Sequence, residues 1–84
     1  MASIASYHSK DGSNSFLGLR QNARGNLEIV YDQGKDHQVF RVAGQIQQLD
    51  VIDAMCRALT ERRIVPALMA ELTRKQIKVT PVAA

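Results

Sequence analysis

Residues 16–43 read FLGLRQNARGNLEIVYDQGKDHQVFRVA, and residues 49–59 read LDVIDAMCRAL. In the first stretch apolar and polar side chains alternate, the pattern of a β-strand with one buried face. In the second, apolar residues recur every three to four positions, the pattern of a helix with one buried face. The repeat changes at Asp50. Three alternating runs, 15–21, 26–31 and 38–43, are separated by Asn22-Ala23-Arg24-Gly25 and by Asp32-Gln33-Gly34-Lys35-Asp36. Both separators carry the residues that hairpin turns require, and Gly25 stands where the first turn needs a left-handed residue. The fold class expected is therefore α+β, an antiparallel β-meander of three to four strands followed by helix.

At the helix start Asp50 is placed to accept from the free amides of the first turn. Asp53 adds negative charge beside them, and Leu49 is placed to staple against Ala54. The stripe Ile52, Met55, Cys56 and Leu59 is expected to face the sheet, leaving Asp53, Arg57 and Glu61 in water. Pro66 interrupts the pattern, and proline suits the first turn of a helix better than its interior. Residues 66–76 are accordingly predicted to form a second helix with Leu68, Met69 and Leu72 inward, the alternative being one helix kinked at Pro66. Alternation returns over 77–82, where Pro81 confines any strand to an edge of the sheet or to a contact with a partner chain. Residues 1–14 are rich in Ser and Ala, with a turn at 10–14, and read as a tail or as an edge strand over 4–8. Residues 15–84 read as one domain.

A chain of 84 residues buries only about 60% of the surface its unfolded form exposes, so its own core gives modest stability and a homodimer is expected. The single Cys56 excludes an intramolecular disulfide and is expected to be a packed, structural thiol. His8 and His37 have no zinc-site spacing, and Asp36-His37 reads as a polar turn facing water. The glycines form neither a dinucleotide-binding nor a Walker loop. Catalytic residues, a metal and a cofactor are thus not expected, nor is enzyme activity. No run approaches the roughly 18 apolar residues of a spanning helix, so no membrane partner is expected and cytoplasmic residence is the default. The net charge of +3 permits binding to nucleic acid or to an acidic protein. Arg62-Arg63 with Arg74-Lys75 reads as a solvated helix end.

If Leu17, Leu19, Leu27, Ile29, Phe40 and Val42 turn toward the helices, then Phe16, Arg20, Val30, Val39 and Arg41 must turn away. One aromatic and two arginines on an otherwise apolar sheet could stack bases and hold phosphates, as single-strand binders do. The competing reading covers this face with the N-terminal segment or a second subunit. In a dimer Val30 and Val39, or the inner side of the second helix, would be buried.

Residues 16–29, FLGLRQNARGNLEI, resemble the central hairpin of the PUR family of single-stranded nucleic-acid-binding proteins. That hairpin reads aromatic, alternating apolar, then a basic residue, Asn and a basic-Gly turn, matched here by Phe16, Arg20, Asn22, Arg24 and Gly25. The resemblance spans roughly 16–59, a meander followed by one helix, and has no counterpart for 66–84. It implies DNA or RNA bound along the sheet, with Arg20, Asn22, Arg24 and Arg41 in contact, and pairing of two such units through their helices. The function expected is a small non-enzymatic protein that binds single-stranded nucleic acid through an exposed sheet face, a regulatory role going equally with the adaptor reading. The alternative is a protein-interaction adaptor docking onto a larger partner.

Overall fold

The computed structural model describes residues 2–8, 15–44 and 48–82. The turn expected at 10–14 lies outside them. Five strands and two helices follow one another as β1 (Ala2–His8), β2 (Phe16–Gln21), β3 (Leu27–Gln33), β4 (Asp36–Val42), α1 (Gln48–Ala58), α2 (Ile64–Arg74) and β5 (Val79–Pro81). The strands form one antiparallel sheet in the order β1-β2-β3-β4-β5, so the chain meanders across it before the helices and returns to its far edge after them. The N-terminal run is thus a strand, and Pro81 sits in an edge strand as its missing N–H demands.

Two turns set the register. Asn22 organises the first: its Oδ1 accepts from the backbone amides of Arg24 and Asn26, both at 2.9 Å, and its carbonyl accepts from Gly25. Gly25 follows at φ 83°. The second is a two-residue hairpin, Gln33 pairing with Asp36, with Gly34 at φ 60° and Lys35 at negative φ. Glycine alone at the first central position is the requirement of a type II′ turn, whose twist matches that of the strands.

Both helices pack on one side of the sheet. Leu17, Leu19, Ile29, Tyr31, Phe40 and Val42 meet Val51, Ala54, Met55 and Ala58 of α1, Ile64, Leu68 and Leu72 of α2, and Ile77 in a single core. Pro66 is the third residue of α2, so the break precedes it and two helices form instead of one kinked one.

The face of α1 is corrected by about one residue. Val51, Ala54, Met55 and Ala58 are buried, whereas Ile52 and Leu59 are partly buried and Cys56 is exposed. Small alanines let α1 lie close to the sheet, and the larger neighbours fall to its flanks. The expected helix start is corrected too. Asp50 lies within the first turn, and Leu49 is 77% exposed and staples nothing. Burial first, and then the neighbouring Cys56 thiol of α1, push the Tyr7 hydroxyl of β1 above its ordinary value. Asp53 joins the helices by accepting from Arg57 at 3.0 Å and pairing with Lys75 at 2.7 Å, contacts that draw its carboxyl below the usual range.

α2 ends in a left-handed reversal. Gln76 has φ 61°, its amide donates to the Thr73 carbonyl, and the Ile77 amide donates back to Leu72 at 2.9 Å. This is the Schellman arrangement, with Ile77 buried against the end of the helix, and it aims the chain at β5.

Candidate functional site

The helices leave the other face of the sheet uncovered by any described element, and the register orders its side chains into three rows. Ser3, Arg20, Glu28, Arg41 and Thr80 form one. Ser6, Gly18, Val30 and Val39 form the middle row, and His8, Phe16, Asp32 and His37 the third. The expected division of the sheet therefore holds: Phe16, Arg20, Val30, Val39 and Arg41 share this outer face.

One edge of the Phe16 ring lies over Gly18. A Cβ at Gly18 would come within 2.8 Å of Cζ and 2.9 Å of Cε1 of the ring, so the absent side chain is what gives the ring its seat. The His8 ring packs beside it, tilted by 60° at a centroid distance of 5.3 Å. Between Phe16 and Arg20 opens a groove of about 250 Å³, bordered also by Ser3, Gly18 and Val30.

Arg20 and Arg41 flank Glu28 on the neighbouring strand. Glu28 is only 4% exposed and accepts from Arg20 Nε at 3.0 Å and from Asn22 Nδ2 at 3.3 Å, while Arg41 Nη2 stands 3.6 Å away. Burial pushes the Glu28 carboxyl up. The hydrogen bonds from Arg20 and Asn22 and the charges of both arginines outweigh that effect and hold it below its ordinary value. Arg20 is gripped through Nε alone, so its two terminal amino groups have no hydrogen-bond partner among the described residues.

Charge on this face balances. Arg20 and Arg41 are offset by Glu28 and by Asp32, which lies 3.8 Å from His37. His37 thus meets Asp32 across the strands, not its neighbour Asp36. Arg24 is exposed at the hairpin tip beyond the sheet, and Asn22 spends its carbonyl oxygen on the turn and its amide on Glu28. Arg62 and Arg63 are exposed in the α1–α2 connection with no carboxylate partner among the described residues. The residue that sequence reading passed over is Glu28, although the two hairpin lengths place it between the arginines.

Val39 is already 8% exposed within one chain, and Leu68 and Leu72 are spent in its own core. The inner side of the second helix is thus used internally, whereas Val30 stays half-buried beside the groove on the outer face. Among the described residues, no three His, Cys, Asp or Glu side chains gather as metal ligands, and no helix is long and apolar enough to cross a membrane. No protein-family model, curated protein or solved structure matches the chain. The resemblance to the PUR family accordingly rests on the hairpin residues alone.

Proposed function

We propose that this chain is a non-enzymatic single-stranded nucleic-acid-binding protein that works through the outer face of its sheet. The observation that carries the reading is the groove between Phe16 and Arg20: an aromatic ring beside a guanidinium whose terminal amino groups have no hydrogen-bond partner among the described residues. An unpaired base stacks on such a ring for about 1–3 kcal/mol, whatever its identity, while the guanidinium donates to a phosphate or base oxygen. Arg41 and the tip residue Arg24 extend the positive track. Asn22 acts indirectly, by shaping the turn and holding Glu28.

Glu28 lowers the electrostatic share of binding. It cancels one of two arginines, so the row contributes about one net phosphate contact and a salt slope near 0.7, against about 1.4 for two free arginines. Stacking thus carries more of the affinity than charge. Titrating a fluorescent oligonucleotide of about 20 nucleotides against the protein at several salt concentrations tests this. Phe16→Ala should weaken binding by about 5-fold or more, and Arg20→Ala with Arg41→Ala should flatten the salt dependence. Absence of retention at low salt overturns the proposal.

The balanced charge of the face supports a second reading, a protein-docking adaptor. Ion-paired rows beside an apolar middle suit a protein surface, and such a contact is nearly indifferent to salt. That reading expects no oligonucleotide binding.

A further inference from the structure

The two edges of the sheet are built differently. β5 presents three residues, includes Pro81 and follows Lys78, all devices that discourage a further strand from pairing. β1 presents seven residues, ASIASYH, with no proline, no glycine and no Lys, Arg, Asp or Glu. It pairs with β2 along one side, with a single register shift between Ser3 and Ala5. No described element pairs with its other side, where backbone N–H and C=O groups project from the edge.

We infer that this edge is an interface with a second copy of the chain, β1 pairing antiparallel to the partner's β1 about a two-fold axis normal to the sheet. Self-pairing suits this strand for three reasons. Without Lys, Arg, Asp or Glu, an antiparallel match sets no such like charges opposite one another. Its middle is small: Ala5 lies on the inner side and Ser6 is exposed on the outer, so neither obstructs an approaching backbone. The antiparallel arrangement is also self-complementary and closes at two copies. The other route, β1 onto the partner's β5, would propagate as a fibre, and the proline-bearing edge blocks it.

The result is one continuous sheet of ten strands, five from each copy, with all four helices on one side and both outer faces on the other. At about 4.8 Å per strand the outer surface grows from roughly 24 to roughly 48 Å across. The pairing stands without the nucleic-acid reading. Only its consequence, a doubled track for a single strand, rests on it.

Sedimentation velocity of the full chain from about 5 to 200 µM should show a dimer that is insensitive to salt, of the affinity expected for a short strand-to-strand contact. Ser6→Lys and Ser6→Glu, each confirmed folded by circular dichroism, should each be monomeric, because like charges then meet at the pairing strands. Mixing the two should restore a dimer. In the unmodified protein the outward amides of β1 should exchange more slowly as concentration rises. A wild-type monomer throughout this range overturns the inference, as do a dimer that persists in both variants and a mixture that stays monomeric. A monomer that binds the oligonucleotide removes the pairing alone. A dimer that binds none removes the reading of the outer face alone.

Discussion

One sheet carries two unlike faces. The inner one is dry: Leu17, Leu19 and Ile29 are at most 1% exposed and meet Val51, Met55, Leu68 and Leu72, which are equally buried. The outer face is held by cross-strand pairs, with a ring seated on a glycine and two arginines on one carboxylate. Burial of apolar area scales with surface and forgives no cavity, whereas ion pairs whose arginines stay partly exposed contribute less than that core. Stability is therefore concentrated on the helix side, and the outer face is free to be specified for contact. A small domain can divide its labour this way because a strand sends alternate side chains to opposite sides.

Leu68→Ala should expose the division most strongly. The side chain is fully buried in the only apolar core among the described residues, so the change should cost about 2–5 kcal/mol, read as a lower denaturant midpoint. If any single substitution among Phe16, Arg20, Val30 and Arg41 costs as much, the two faces are not separate in function.

Glu28→Gln is expected to rank next, at about 1–2 kcal/mol, because a buried charge-assisted network loses its charge while keeping its shape. The folded carboxyl titrates below the unfolded one. Its contribution is therefore present above the ordinary glutamate value of about 4.3 and is lost as pH falls through the folded value. The variant should lack that part of the acid sensitivity in melts across this range. It should also bind single strands more tightly at low salt, with a slope steeper by about 0.7, since one arginine is no longer offset. Weaker binding would show instead that Glu28 serves chiefly to aim Arg20.

The smallest effect is expected at Gly18→Ala. The backbone there is not left-handed, and what a Cβ meets is the far end of the Phe16 side chain, which can swing aside. Stability should move by less than about 1 kcal/mol. Oligonucleotide binding should fall, because the ring loses its seat beside the groove. Unchanged binding would detach the groove from the function of the face.

The strands were legible in the sequence because alternation leaves one arrangement that hides Leu17, Ile29 and Phe40 together. The helix face was less so. Ranking residues by hydrophobicity favours Ile52 and Leu59, but close approach to a sheet selects Ala54 and Ala58, and only packing decides between them. Cys56 was misplaced with that stripe. Asp50 looked like a cap, yet the helix begins earlier, since capping residues are also at home within a first turn. On the outer face, alternation assigned Arg20 and Arg41 to one side but could not reveal their shared partner. That required the exact lengths of both hairpins, which pair Arg20 with Glu28 and Glu28 with Arg41.

The position of β5 has a kinetic consequence. Every other pairing in the sheet joins neighbours in the chain, but Phe40 meets Pro81 across both helices. Loop closure over so long a span is compensated only after α1 and α2 have docked, so this rung is expected to form late in folding and to open early in the native state. Its short ladder, completed by the Ala43 and Val82 amides, should exchange hydrogen faster than β2 or β3. Each such opening bares the edge of β4 while the core stays intact, so the last three-residue strand acts as a reversible cover over an otherwise adhesive border.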